Sequence, residues 1–379
     1  MKPLFNFVFV ALSSALFAQN LPLGHLELFM EDPDRNNRTV TAELYYPALE
    51  EGSIFLADGV FPMIVFGHGF VMPHESYENV RNHYVDEGYL VMFITTEGGL
   101  SPSHEDFAKD ITFMTDYIVF EGTTNTSSLL FDHFIPKVGL IGHSMGGGAA
   151  MLAANMSEHV ETVIGLAPAE TNPSAIDAAA LIEKPSLILS GSEDLVTPPA
   201  EHHLPIYESL ASDCKIFVDI LGGAHCFFAN EDQACDLGEL LSGGNPTIDR
   251  ATQQEIMFDY VTAWLDHFLK EDAAGVDQLF LTDQNDQRVL INNNCQLLSS
   301  TSGVDQEALQ LYPNPVSDIL YLKGDIGKER NFSVFDSKGS LLLNGNCWDT
   351  IDLSLLNPQL LFLQFDGAGE FYKIIKVNQ

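Results

Sequence analysis

Basic residues are scarce in this chain of 379 residues. It carries 17 Lys and Arg against 53 Asp and Glu, which gives a formal net charge of −36 at pH 7. Binding to nucleic acid or to an anionic membrane surface needs clusters of Lys and Arg. We therefore expect no nucleic-acid partner. The acidic residues are spread along the whole chain, and we interpret them as a solubility feature.

Cysteine is also infrequent, and its spacing excludes a zinc site. None of the five cysteines stands in a Cys-x-x-Cys pair or at the His/Cys spacing of zinc ligands, so we expect no metal. In an exported protein the first four allow two disulfides in three connectivities. A bridge at Cys226 would stiffen the site, because Cys226 follows a candidate catalytic histidine. The five positions are Cys214, Cys226, Cys235, Cys295 and Cys347, the last lying alone in the C-terminal part.

Long hydrophobic runs are absent after the first 20 residues, so no transmembrane segment is predicted. Residues 1–20 read MKPLFNFVFVALSSALFAQN, with a basic start, an apolar stretch and a small residue before polar Gln-Asn. This is the pattern of a secretory signal peptide, which we place at residues 1–18. The apolar stretch is short for a membrane anchor. The mature protein is therefore predicted to be secreted or held at the cell surface.

The hydrophobic pattern of residues 19–297 predicts an α/β domain. Short apolar runs alternate with helical patterns, which indicates a doubly wound, mostly parallel sheet covered by helices on both faces. After a polar linker at 298–306, residues 307–379 show short strands between turn residues, which predicts a small all-β sandwich domain. The strand-like runs of the first domain are 61–67, 90–95, 138–141, 163–167, 186–190 and 215–221, and the helical patterns are 75–87, 105–117, 147–155 and 253–270.

Residues 138–150 (VGLIGHSMGGGAA) are the most informative stretch of the chain. An apolar strand-like run leads into a Gly-x-Ser-x-Gly motif centred on Ser144, and a helix of small residues follows. This is the strand–turn–helix setting of a nucleophile elbow, in which glycines permit a tight turn. The helix would direct its amino-terminal amides and dipole at the serine, which suits a developing oxyanion. Ser144 is therefore the predicted nucleophile.

A serine nucleophile needs a general base that a carboxylate orients, and in α/β-hydrolases they follow in the order serine, acid, histidine. Two loops after predicted strands supply them. In 191–199 (GSEDLVTPP), Asp194 is the predicted orienting acid and Glu193 is the alternative. In 222–225 (GGAH), His225 is the predicted base, because two glycines free the backbone directly after the strand.

A third glycine-rich loop, 66–70 (FGHGF), follows the first strong strand. An α/β-hydrolase takes one oxyanion donor from this loop and one from the residue after the nucleophile, so the predicted donors are the backbone amides of Phe70 and Met145. Their side chains are expected to form an apolar rim. His143 is expected to point away from the serine and to line the wall of the site. Two further histidines on a predicted helix are expected to be solvated, namely His202 and His203.

From about residue 61 to residue 268 the chain resembles the secreted, lidless α/β-hydrolases of the cutinase and polyester hydrolase group, relatives of dienelactone hydrolases and chlorophyllases. The resemblance implies hydrolysis of carboxylic esters through an acyl-enzyme, with neither a metal nor an organic cofactor. The segment 168–185, where many lipases insert a lid, has room for a loop and one helix, which predicts an open site without interfacial activation. The matching blocks are 64–70, 142–148, 167–175 (APAETNPSA), 190–198, 204–210 (LPIYESL) and 221–230 (LGGAHCFFAN).

The chain departs from polyester hydrolases at the aromatic wall of the site. Those enzymes usually carry a tryptophan after the Ala-Pro that ends the strand following the elbow helix, whereas Ala169 stands here, followed by Glu170. We expect His143 and Ala169 to bind substrate, and Phe227 or Phe228 to supply an aromatic surface instead. Short-chain or aliphatic esters are the predicted substrates, and aromatic polyester is the secondary one.

The C-terminal part resembles the sorting domain of the type IX secretion system of Bacteroidetes. Its opening motif is 311–318 (LYPNPVSD), and 334–339 (VFDSKG) and 372–377 (YKIIKV) match the middle and the end. The usual Gly-x-Tyr segment is replaced near 360–365. The resemblance implies export through the type IX secretion machinery and removal of the module afterwards. A carbohydrate-binding sandwich is the alternative, but Trp348 stands alone, without an aromatic platform.

Two alternatives to an esterase remain open at the level of the sequence. An amidase or peptidase would use the same three side chains. A non-catalytic surface-binding protein would keep the fold without the reaction, although the intact order of serine, acid and histidine favours an enzyme.

Overall fold

The chain divides into two compact units, Met1–Thr301 and Ser302–Gln379. The predicted signal peptide (1–18) and the predicted linker (298–306) lie outside the residues that the structure describes. The structure is a computed structural model, and it describes residues 21–276, 280, 286–295, 310–312, 316–323, 330–336, 341–348, 350–357, 359–365 and 371–377.

A mixed sheet forms the centre of the first unit. Its described strands are β1 (Leu23–Asp32), β2 (Arg38–Pro47), β3 (Phe61–Gly67), β4 (Leu90–Ile94), β5 (Phe134–His143), β6 (Val160–Leu166), β7 (Ser186–Gly191), β8 (Cys214–Ile220) and β9 (Val289–Cys295). They lie in the order β1-β2-β4-β3-β5-β6-β7-β8-β9. Neighbours from β4 to β8 pair parallel, whereas β1, β2 and β9 pair antiparallel at the two edges. The predicted doubly wound, mostly parallel α/β fold is therefore confirmed.

Helices cover both faces of this sheet. They are α1 (Glu78–Asp86), α2 (His104–Thr123), α3 (Met145–Ala153), α4 (Ala175–Ala179), α5 (His203–Ser209), α6 (Gln233–Ser242), α7 (Arg250–Lys270) and α8 (Ala274–Val276). Buried side chains of α2 and α3 join Met63 and Val65 of β3 in one core cluster, and those of α1 and α7 join Ile64 and Phe66 in another. Alternate residues of β3 thus point to opposite, equally buried faces, which explains its continuous apolar sequence.

The elements differ from the prediction mainly at their ends and at the sheet edges. Helix α2 continues to Thr123, and α7 begins at Arg250. The hairpin β1–β2, the edge strand β9 and helix α6 are not among the predicted elements, and β1, β9 and α6 each have partly exposed faces. Within the described residues, no helix combines the length and the apolar character needed to cross a bilayer.

The second unit consists, in its described part, of short antiparallel strands. They are β10 (Gln310–Tyr312), β11 (Ile319–Lys323), β12 (Arg330–Asp336), β13 (Leu341–Cys347), β14 (Thr350–Asp352), β15 (Leu360–Phe365) and β16 (Phe371–Ile375). One sheet has the order β10-β11-β14 and the other β13-β12-β15-β16. Apolar residues of both sheets, among them Leu320 and Val334, share one buried cluster. The small all-β domain is confirmed, whereas residues 313–315 of the opening motif lie outside the described residues.

Four of the cysteines form two disulfides in the first unit. Cys214, the first residue of β8, pairs with Cys295, which lies opposite it on the neighbouring strand β9. Cys226 pairs with Cys235 and thereby joins the loop after β8 to helix α6. The structure thus selects one of the three connectivities that the sequence leaves open. Cys347 is buried in the second unit.

Candidate active site

Ser144 lies in the sharp turn between β5 and α3. Its backbone has φ 55° and ψ −121°, a strained conformation for a residue with a side chain. The turn fits only because glycines flank it: a Cβ at Gly142 would lie 2.1 Å from the carbonyl oxygen of Gly146, and a Cβ at Gly146 would lie 2.1 Å from that of Gly67. The motif therefore folds as a nucleophile elbow does.

The structure brings Ser144, His225 and Asp194 together, although 81 residues separate the first two in the sequence. Ser144 Oγ lies 2.9 Å from His225 Nε2, and His225 Nδ1 lies 2.7 Å from Asp194 Oδ2. All three side chains are buried, with Ser144 only 8% exposed. They come from loops at the carboxyl ends of β5, β8 and β7, which share one edge of the parallel sheet.

Asp194, rather than its neighbour Glu193, contacts the histidine. Its Oδ1 accepts hydrogen bonds from the backbone amides of Val196 and Thr197, at 2.9 and 2.8 Å. Burial by itself would raise the pKa of Asp194, but the nearby His225 outweighs that effect, and the pKa lies below its ordinary value. The carboxylate is thus held in its ionised form and in a fixed orientation. Glu193 is partly exposed, and its backbone amide donates to Gly223 O.

Hydrogen bonds from three side chains hold the loop that contains His225. The buried Gln253 of α7 bonds both the amide and the carbonyl of Ala224, each at 2.8 Å. Glu239 of α6 accepts from the amide of Cys226 at 2.8 Å, and Arg250 donates to the carbonyl of the same residue. None of these three anchors is predicted from the sequence, because they are single polar residues on later helices, joined to the loop only by folding.

His143 lies behind the site surface rather than on it. Its side chain is fully buried, with Nδ1 at 2.9 Å from the hydroxyl of Tyr77 and Nε2 at 3.0 Å from the carbonyl of His225. Burial lowers the pKa of His143 to about 3, so the ring is neutral. Nε2 faces an acceptor and therefore carries the proton, whereas Nδ1 accepts from Tyr77. Tyr77 also accepts from the amide of Gly69 at 2.8 Å and so links His143 to the glycine-rich loop after β3.

The two predicted oxyanion donors belong to the residue after Ser144 and to the loop after β3, the strand whose last residue, Gly67, approaches the serine turn at Gly146. Met145 is the first residue of α3, where backbone amides have no partner within the helix. Phe70 lies in the loop after β3, and its side chain is 50% exposed. The side chain of Met145, in contrast, packs into the core, so the predicted apolar rim contains Phe70 without Met145.

The prediction that His203 is solvated is wrong. Its side chain at the start of α5 is completely buried, because helix α5 turns it toward the sheet and the Asp194 loop. Its Nε2 lies 3.0 Å from Thr197 Oγ1 and 3.6 Å from Asp194 Oδ2. The neighbouring His202 is partly exposed and accepts from the amide of Glu170.

The profile of the PET hydrolase-like family matches residues 41–296, about two thirds of the chain. The chain belongs to the PET hydrolase-like family. It is 25% identical over 183 residues to bis(hydroxyethyl) terephthalate hydrolase of Streptomyces coelicolor, covering 48% of this chain and 54% of the relative.

Two cutinases show a similar level of likeness. Cutinase est1 of Thermobifida alba is 24% identical over 230 residues, which cover 60% of this chain and 65% of the relative. Cutinase cut1 of Thermobifida fusca is 24% identical over 230 residues, 60% of each chain. This PET hydrolase-like chain thus spans between about half and two thirds of the length of these curated relatives.

The wall beside the serine is small and polar in this PET hydrolase-like chain. The backbone amide of Ala169 donates to Ser144 O at 2.9 Å, which places Ala169 next to the nucleophile. Glu170 follows, and its carboxylate accepts from the amide of Ile176 at 3.0 Å. Two residues after His225, Phe227 is partly exposed beneath Arg250, whose guanidinium lies 4.7 Å from the ring centre, whereas Phe228 is fully buried. Between β6 and β7 the chain forms a loop and α4.

The Cys226–Cys235 disulfide is expected to matter for activity as well as stability. Replacing both residues by serine should lower the free energy of unfolding by about 2–4 kcal/mol and also lower kcat, because the bridge fixes the residue after His225. The pair Cys214→Ser and Cys295→Ser is the matched control, since that bridge lies at the opposite end of β8. Urea unfolding and ester hydrolysis of both double variants test this. An equal effect on kcat in the two would contradict it.

Proposed function

We propose that this chain is a serine hydrolase of carboxylic esters. One observation carries the proposal, namely the continuous series of hydrogen bonds from Ser144 through His225 to Asp194, at 2.9 and 2.7 Å. In this role Ser144 Oγ attacks the ester carbonyl while His225 Nε2 accepts its proton and then protonates the leaving alcohol. Asp194 orients the ring and stabilises the imidazolium. Water then repeats the sequence on the acyl-enzyme and releases the acid.

The backbone amides of Phe70 and Met145 are proposed to hold the oxyanion of the tetrahedral intermediate. The position of Met145 at the start of α3 supports its part, because the helix dipole adds to the pull of the amide on negative charge. The link from Tyr77 to the amide of Gly69 supports the part of Phe70, since it fixes the backbone just before the donor. Each such donor contributes roughly 3 kcal/mol of transition-state stabilisation.

Short-chain and aliphatic esters or polyesters are the proposed substrates. The absence of an aromatic side chain at Ala169 and Glu170 supports this, because it removes a surface on which a terephthalate ring would stack. The relatives named for bis(hydroxyethyl) terephthalate hydrolysis and as cutinases support a polyester, with aromatic polyester as the second substrate. Phe227, two residues after His225 and partly exposed, is the proposed aromatic contact.

A series of p-nitrophenyl esters from acetyl to palmitoyl tests the activity and sizes the acyl pocket. We expect the highest kcat/KM at the short end of the series, without a jump in rate when the long esters form micelles, because the described segment between β6 and β7 consists of a loop and the short helix α4. The rates of hydrolysis of an ester and an amide that share the same acyl group distinguish an esterase from an amidase or peptidase. Activity on the amide alone would refute the proposal.

An organophosphonate probe tests the nucleophile independently of the substrate. Covalent labelling that maps to Ser144 is expected, since the probe needs an activated serine and an oxyanion site. A chain that neither hydrolyses any ester nor takes up the probe would instead be a surface-binding protein with this fold.

We also propose that residues 1–18 are a signal peptide and that residues 307–379, after the linker 298–306, direct export by type IX secretion. The motif at 311–318 supports this, together with the separate β unit that begins at Ser302. Expression of the full chain in a Bacteroidetes host, with and without residues 307–379, tests it. The intact chain should reach the surface or medium and lose the module, whereas the truncated chain should remain in the periplasm.

A further inference from the structure

A second histidine lies behind the Ser144–His225–Asp194 series. His203 is completely buried, and both of its ring nitrogens have partners: Nδ1 lies 2.9 Å from Ser190 Oγ, and Nε2 lies 3.0 Å from Thr197 Oγ1. Thr197 Oγ1 in turn lies 3.0 Å from Asp194 Oδ2. A row of three polar side chains therefore runs from strand β7 to the carboxylate that contacts His225.

The direction of these hydrogen bonds follows from counting protons. Burial lowers the pKa of His203 to about 3, so the neutral ring supplies one N–H, and each hydroxyl supplies one O–H. An ionised carboxylate can only accept, so Thr197 donates to Asp194 Oδ2. Thr197 must then accept from Nε2–H of His203, whose Nδ1 accepts from Ser190 Oγ. Thr197 Oγ1 has a second acceptor, Ala167 O, but it lies farther away at 3.4 Å, so the hydroxyl points to Asp194 and all three bonds run toward that carboxylate. Ser190 also faces Asp219 across β7 and β8, and the tautomer of His203 distinguishes a Ser190 proton directed at His203 from one directed at Asp219.

These bonds hold the hydroxyl of Thr197 in contact with both Asp194 and His225. Its hydroxyl oxygen lies 2.9 Å from His225 Nδ1 as well as 3.0 Å from Asp194 Oδ2. A threonine hydroxyl can occupy more than one rotamer, and the bond from His203 selects the one that faces the carboxylate. Hydrogen bonds aligned head to tail in a buried setting also strengthen one another.

We propose that His203 is a positioning residue for the proposed ester hydrolysis, acting through Thr197 to hold Asp194 in the orientation that His225 requires. The inference rests on the proposed function. The contacts that support it are those of His203, which is not one of the three reacting side chains. It assigns a role to a histidine that contacts neither substrate nor nucleophile.

Two substitutions test the chain of bonds at successive points. Thr197→Val keeps the shape and removes the hydroxyl, and it should lower kcat about 10- to 100-fold, the loss expected when a charged group loses one hydrogen bond. His203→Phe should lower kcat about tenfold. KM should stay within about twofold in both, because neither side chain contacts the substrate. The double variant should be no slower than Thr197→Val alone, since His203 acts only through Thr197.

A rescue and a control separate positioning from a general loss of stability. His203→Gln keeps an N–H donor near the position of Nε2 and should recover most of the activity that His203→Phe loses. His83→Phe removes a partly buried histidine, on α1 beside Phe258, and should lower stability without changing kcat. If His203→Phe retains the kcat of the unmodified protein, or if His203→Gln is as slow as His203→Phe, the proposal is overturned.

A measurement without substrate distinguishes this inference from the proposed function. Two-bond 1H–15N correlations of the histidine rings report which nitrogen carries the proton, and we expect Nε2–H at His203. If the unmodified protein neither hydrolyses esters nor is labelled by the phosphonate, the proposed function is rejected. An Nδ1–H tautomer at His203 would reject the positioning role, whatever the activity.

Discussion

Replacing Ser144 by alanine is expected to reduce kcat for ester hydrolysis by about a million-fold, to the level that binding and the oxyanion site alone provide. The hydroxyl oxygen is the atom that lies 2.9 Å from His225 Nε2, and among the described residues no second hydroxyl is hydrogen-bonded to that nitrogen. The measurement is the initial rate on the best p-nitrophenyl ester. Phosphonate labelling should vanish in the same variant.

The variant should keep its fold, because alanine is smaller than serine and the glycines around the turn remain. Circular dichroism and the melting temperature check this. Ser190→Ala is a useful comparison, since it removes another buried serine hydroxyl at the end of β7 and should cost at most about tenfold in kcat. If Ser144→Ala hydrolyses the ester at a rate near that of the unmodified protein, another residue is the nucleophile and the proposed mechanism is wrong.

Replacing Asp194 by asparagine is expected to lower kcat about ten-thousand-fold. The amide removes the negative charge that stabilises the imidazolium, and its N–H₂ group at 2.7 Å from His225 Nδ1 favours the wrong tautomer of the ring. The two backbone amides that now bind Oδ1 can keep the new side chain in place, so the effect is electrostatic. Steady-state kinetics should show the loss in kcat, with KM little changed.

Glu193→Gln is the matched control for this substitution. It removes a charge one residue away, from a partly exposed side chain whose loop is held by a backbone bond to Gly223. We expect kcat within about twofold of the unmodified protein. A large loss at Glu193 together with a small loss at Asp194 would show that the neighbouring acid orients His225.

The sequence by itself determines the nucleophile turn and the fold class. Every residue needed for the turn at Ser144 is contiguous, so a local pattern of strand, glycines and small-residue helix contains it. The alternation of apolar runs with helical patterns likewise determines the parallel sheet, since strands buried on both faces must be apolar throughout. Loops after β7 and β8 then offer an acid and a histidine in the order that the reaction needs.

Only the tertiary structure decides which side chains meet. Asp194 and Glu193 are adjacent acids, of which the sequence predicts Asp194 and leaves Glu193 as the alternative, and the turn at Val196 and Thr197 selects Asp194 by directing two amides at its carboxylate. His203 follows a similar principle: its neighbour His202 remains partly exposed, whereas the helix rotates His203 into the core. The sequence cannot resolve such choices, because adjacent residues differ by about 100° on a helix and the buried direction depends on distant partners. Gln253 lies 29 residues from Ala224, and Tyr77 lies 66 residues from His143, so only packing brings these side chains together.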